Sequence, residues 1–231
     1  MRLLAVSLLL LSGLAVANVS SFAPLKKAPA PQICTPPDVD LMALEKSVLE
    51  LNRYVGSWPL HLKDDAERKR VTEQWSNNLL QAEKLHDEEG DTERSLILLA
   101  ETYRQGHNLD IKGMAQNAHH TIGTCLAKYP QSRGCNLAAS YFYLSINPAR
   151  TERAAAALNT LRDLAGDNPD PEVENGFIFL YVFEGNKDAA IAQIDRYIQL
   201  FPSSGQLSHL NQLRDALVNN RVSIHKSDSP Q

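Results

Sequence analysis

Past its first residues the chain has no long apolar run, little cysteine and no dominant charge, and each shortage excludes a class of function. No stretch after residue 17 approaches the about 20 apolar residues of a membrane-spanning helix, so no span is expected once a leader is removed. The 23 Lys+Arg against 27 Asp+Glu give a mildly acidic balance, with no basic stripe for nucleic acid or anionic lipid. Motifs that announce catalysis are missing as well. There is no G-x-S-x-G, H-E-x-x-H, C-x-x-C, phosphate-cradling glycine loop or dinucleotide turn, so no enzyme and no cofactor is expected. Alternating runs between turn signals are absent too, which leaves an all-α chain.

What is present begins with "MRLLAVSLLLLSGLAVANVS": a basic Arg2, an apolar run from Leu3 to Leu11, and small residues at Ala15 and Ala17 before Asn18. That is the pattern of a secretory signal over residues 1–17, cleaved between Ala17 and Asn18. Export is therefore expected, with the bacterial periplasm as the compartment. Residues 18–37, rich in Pro, Ala and Ser and without a period, read as an extended tether. Residues 221–231 are polar and read as a frayed tail.

Three cysteines in an exported chain leave one unpaired or none bonded. Cys125 and Cys135 flank Pro130 five residues to either side. If the chain turns there, their side chains meet across a helical hairpin, as a disulfide or as two small buried thiols. Cys34 is then the odd one out.

Between tether and tail, residues 38–220 read as one helical domain. Leu41, Leu44, Val48, Leu51 and Val55 recur at three- and four-residue steps behind Asp38 or Asp40, and a long helix follows from "DDAERKR" to Gly90. Seven further helical segments each stop at Gly, Pro or Asn, among them "LDIKGMAQNAHHTIGTCLAKYP". Prolines that close alternate helices fall at Pro130, Pro169 and Pro202, spaced 39 and 33 residues apart. Self-similarity at that period predicts an α-solenoid of stacked antiparallel hairpins.

"PEVENGFIFLYVFEGNKDAAIAQIDRYIQLFP" resembles the tetratricopeptide repeat, with Tyr181 in the first helix, Gly185 at the bend, Ala190 and Ile194 in the second and Pro202 at the end. "LILLAETYRQG" with "AKYP" and "LAASYFYLSINP" with "LAGDNP" look like weaker copies. The resemblance covers residues 92–202, with residues 203–220 as a capping helix. It implies a non-catalytic scaffold whose first helices line a concave groove for a protein or peptide partner, here in an envelope assembly. On that reading Tyr103, Phe142, Tyr143, Phe179, Val182 and Phe183 are the candidate anchors, since aromatic rings give contact area at low entropy cost. The same residues would also suit the interior between hairpins. A periplasmic small-ligand carrier or transport accessory, with the concavity closed over an apolar molecule, is the alternative function. Oligomeric state is left open.

Asp167, Asp170, Glu172 and Glu174 offer oxygens at alternating spacing, but they lack the glycine and terminal glutamate of a calcium loop. They read as acids in a first helical turn. His119 and His120 are adjacent, so on a helix they point apart, and no metal site is expected from them or from His86.

Overall fold

Six of the helices among the described residues start where a short polar side chain accepts a free amide. The computed structural model describes residues 39–57 and 60–221, which form helices with no strand among them. The signal, the Ala17–Asn18 cleavage point, the 18–37 tether and residues 222–231 of the tail lie outside the described residues.

Helix α1 (Leu41–Val55) is capped by Asp40, which accepts from the Ala43 amide at 3.1 Å, and α2 (Asp65–Glu89) by Asp64, which accepts from the Glu67 amide at 2.8 Å. Gly90 ends α2 at a φ of 67°, a left-handed conformation that glycine adopts without steric cost. Thr92 caps α3 (Glu93–Asn108). The stretch Leu109–Gly113, expected from its pattern to be helical, is instead a turn with Asp110 at φ 64° and Gly113 at φ 89°. Consequently α4 (Met114–Lys128) starts later than the sequence suggests. Ser132 caps α5 (Arg133–Ser145), after which comes α6 (Thr151–Ala165). Asp170 caps α7 (Pro171–Phe183) through the Glu172 amide, and Asn186 caps α8 (Lys187–Leu200) through the Ala189 amide. Each such cap contributes about 1 kcal/mol. The last helix, α9, is Leu207–Val218.

Apolar stripes decide how these helices meet. Leu44, Val48, Leu51 and Val55 bury one face of α1 at helical spacing, and the core they join runs on through Trp75, Leu99, Ile122, Phe142 and Leu158 to Phe177. Each helix packs on its neighbours in the chain, and α1 also packs on α3, α3 on α5 and α5 on α7. Among the described residues no comparable contact joins α2 to α4, α4 to α6 or α6 to α8. The odd-numbered helices from α1 to α7 thus form the closer row. Within it Gly134 of α5 leaves room for the tip of the Ile97 side chain of α3, which a Cβ there would overlap.

At the far end Ala190, Ile194 and Tyr197 are buried in a second cluster with Ile178, Leu210 and Leu217, so α9 covers apolar surface of α8. Ala189, by contrast, is half-buried. Cys125 of α4 and Cys135 of α5 are joined by a disulfide with a Cα separation of 5.6 Å, in a small cluster with Leu96.

Candidate functional site

The row of odd helices presents one continuous polar ladder, and its anchor is Arg104 of α3. Its guanidinium donates to Glu101 on its own helix, to the Gly56 carbonyl that follows α1 and to Asn52 Oδ1 at 3.1 Å. The adjacent Gln105 donates to the Val48 carbonyl at 2.8 Å and to Asn52 Oδ1 at 2.9 Å, while Asn108 donates to the Val55 carbonyl at 2.8 Å. Arg104 and Asn108 therefore satisfy carbonyls at the C-terminal end of α1 that its own ladder leaves without donors, while Gln105 adds a second hydrogen bond to the mid-helix Val48 carbonyl. The Arg104 side chain is only 4% exposed and that of Glu101 16%. Burial pushes the Glu101 carboxyl up, but the charge and hydrogen bonds of Arg104 outweigh it and hold Glu101 below the usual carboxylate range.

From Arg104 the ladder continues toward α7. The guanidinium lies over the Tyr141 ring of α5, 5.7 Å from its centroid. Tyr141 donates to Glu172 of α7 at 2.8 Å, and Arg133 of α5 donates to Asp170 at 2.6 Å and to Glu172 at 2.9 Å. Burial, with the Glu172 carboxylate close by, pushes the Tyr141 phenol above its usual range. Burial raises the Asp170 carboxyl, and the hydrogen bonds from Arg133 and the Glu172 and Val173 amides, together with the Arg133 charge, reverse that to a net downward shift.

Apolar side chains stand exposed at both ends of this row. On α7, Glu172, Phe179 and Phe183 follow at spacings of seven and four, so they share a face, and the two rings are 43% and 45% exposed. On α1, Met42 and Leu49, seven residues apart, are 81% and 70% exposed. Where α1 meets the start of α3, a depression open to solvent is lined by Glu45, Glu89, Glu93 and Arg94 around Ile97 and Leu98.

Of the sequence-predicted anchors, Phe179, Phe183 and the half-buried Val182 are on α7, whereas Tyr103, Phe142 and Tyr143 are interior residues. This corrects the groove assignment for those three. Tyr103, 8% exposed, donates to Glu83 of α2 at 3.0 Å; burial and that carboxylate push its phenol upward. Phe142 and Tyr143, 1% and 3% exposed, pack with His119 of α4, and the Tyr143 hydroxyl lies 3.2 Å from both His119 Nδ1 and Arg153. The reason is helical phase: Cys135, Ala138, Ala139 and Phe142 make the buried stripe of α5, and Tyr141 is one residue out of it. Tyr141, Glu101, Arg104 and Glu172 were not identified as site residues from the sequence; phasing the helix on its buried alanines is the signal that finds Tyr141.

The acidic first turn of α7 divides its labour. Asp170 caps, Glu172 belongs to the ladder, and Glu174, buried at 1% exposure, is a structural charge. It accepts from Arg162 of α6 at 2.8 Å and from Gln193 and Arg196 of α8 at 2.7 and 3.1 Å. Burial raises its carboxyl, and the hydrogen bonds from Arg162 and Gln193 more than reverse that. Among the described residues no group of three or more His, Cys, Asp or Glu is arranged to hold a metal ion, and no helix is long and apolar enough to cross a membrane.

Comparison with protein-family models, curated protein sequences and solved structures finds no match to this chain. The functional reading therefore rests on the residues and their geometry.

Proposed function

We propose that this chain is an exported, non-catalytic scaffold built as a tetratricopeptide-like solenoid, which holds a segment of a partner protein or peptide along its odd-numbered helices in a bacterial envelope assembly. The observation that carries this reading is the pair Phe179 and Phe183, two large rings nearly half exposed on one face of α7, in line with the Glu172 that ends the polar ladder. Isolated apolar side chains on a surface need no explanation, but rings at a shared helical face are the residues that anchor partners. Support for stacked hairpins comes from the pattern of contacts: α1, α3, α5 and α7 meet in series while the even helices do not, as expected when hairpins stack into a curved row with those odd helices inside. The depression on the same row is open, which suits a chain segment better than an enclosed small molecule. Export is inferred from residues 1–17 and agrees with the Cys125–Cys135 disulfide, a bond that persists in oxidising compartments.

The test is a double substitution, Phe179→Ser with Phe183→Ser, in the full chain expressed in its native cells. Partner capture is expected to be lost with helicity and thermal midpoint unchanged, because both rings are exposed. Retention of the partner by the double variant contradicts the assignment of the face.

A further inference from the structure

The two ends of the odd-helix row differ in chemistry, and that difference specifies what kind of segment fits. At the α7 end the exposed groups are the Phe179 and Phe183 rings, beside the half-buried Glu184 that follows the helix, and the acids at its start, Glu172 and Asp170, are engaged by Arg133. At the α1 end the depression brings Glu45, Glu89 and Glu93 together against the single Arg94, all four exposed, over Ile97 and Leu98. Neither Glu45 nor Glu93 has an ion pair or side-chain hydrogen bond among the described residues; Glu89 accepts from the Thr92 hydroxyl. Between the ends, Arg104 neutralises Glu101 and both are largely buried, so the middle of the row offers little free charge. The row is therefore acidic with apolar neighbours at one end, neutral in the middle and aromatic at the other.

Resting on the proposed function, we infer that the partner segment is bipartite: basic side chains at the end that meets α1 and α3, and aliphatic or aromatic side chains at the end that meets α7. Its length follows from the scaffold. Neighbouring packed helices lie about 8–10 Å apart, so the three steps from α1 to α7 span about 24–30 Å. An extended chain rises about 3.3 Å per residue and covers that distance in about seven to nine residues. Lysine or arginine at one end finds the uncompensated carboxylates, with the stems of those side chains laid over Ile97 and Leu49. Apolar residues at the other end cover the two phenylalanine rings.

The experiment measures fluorescence anisotropy of labelled twelve-residue peptides with the full exported chain. The probes are a peptide with lysines in one half and leucine and phenylalanine in the other, made in both orders; the same peptides with glutamate for every lysine; and a polar peptide carrying the lysines alone. One bipartite order is expected to bind, its glutamate counterpart at least about tenfold more weakly, and the lysine-only peptide at least about tenfold more weakly. Glu45→Lys with Glu93→Lys in the chain is expected to weaken the bipartite peptide by about tenfold and to flatten its salt dependence. Phe179→Ser with Phe183→Ser weakens it independently. If binding depends on the phenylalanines but not on Glu45 and Glu93, the basic end is wrong while the groove reading stands. Indifference to both pairs of substitutions removes the groove reading as well. Equal binding of the lysine-only peptide, or no binding by either bipartite order, overturns the inference.

Discussion

Two buried ion-pair networks hold this row of helices, and they are built on opposite plans. At the α1–α3 junction one guanidinium, Arg104, meets one carboxylate, Glu101, and spends its remaining donors on a backbone carbonyl and Asn52 of α1. At the α6–α7–α8 junction one fully buried carboxylate, Glu174, meets two guanidiniums whose side chains are 34% and 50% exposed. The first network is the more closed: Arg104 is 4% exposed and Glu101 16%, so removing Arg104 leaves a charge and a carbonyl with little access to water. The second is open on its cationic side, so Arg162 and Arg196 can turn to solvent if Glu174 is lost. Burial of the partner, more than the number of bonds, sets what each network contributes.

Substitution separates the two plans. Arg104→Met is expected to have the largest effect, about 3–5 kcal/mol of lost stability, the range for stranding one partner of a buried pair. Urea unfolding of the variant measures it, and a loss below about 1 kcal/mol would show that water reaches this junction. Replacing Cys125 and Cys135 together by serine is expected to cost about 2–3 kcal/mol, because the bond closes a short loop between α4 and α5. The same unfolding experiment, run with and without reductant, should give matching values for the reduced parent chain and the double variant. Glu174→Gln is expected to cost less than either, about 1–2 kcal/mol, since its partly exposed partners are screened by solvent.

Acid sharpens the comparison further. Glu101, Glu174 and Asp170 all have carboxyls lowered in the folded chain, so their contribution is fully present above the unfolded carboxylate range of about pH 4 and is lost as pH falls through their lowered values. Stability measured from pH 6 down to pH 2 should therefore fall most steeply below about pH 4, and Glu174→Gln should flatten part of that slope. A variant as steep as the parent would mean that Glu174 does not gain from ionisation on folding. Smallest of all, Phe179→Ser with Phe183→Ser should change stability by no more than about 0.5 kcal/mol, as for other exposed sites. A larger loss, read by the same urea titration, would mean that the rings support the fold.

The helices were legible because local chemistry determines them: Asp40, Thr92, Ser132 and Asp170 are capping types in capping positions, and Gly90 stands where the helix ends. Leu109–Gly113 misled because its apolar spacing fits a helix while Asp110 and Gly113 require the left-handed region. The site was harder to read. In "SYFY" three successive positions are large, and a shift of one residue turns a side chain by about 100°, enough to exchange the interior Phe142 for the outward Tyr141. Arg104 and Glu101 stand three residues apart on α3, an ordinary helical spacing, and nothing local indicates Asn52 and Gly56, about fifty residues earlier, as partners of Arg104. Glu174 likewise read as an acid of a first turn, because its charge partners Arg162 and Arg196 belong to other helices. Long-range pairing is what a single sequence conceals.

The most direct test of the partner-binding account is site-specific photo-crosslinking in the native cells, with the photoreactive residue at position 179 in one strain and at position 142 in another. A discrete intermolecular adduct from 179, and only intramolecular products from 142, is the result expected of an α7 face that receives a partner segment. An intermolecular adduct from 142, or none from 179, would contradict it.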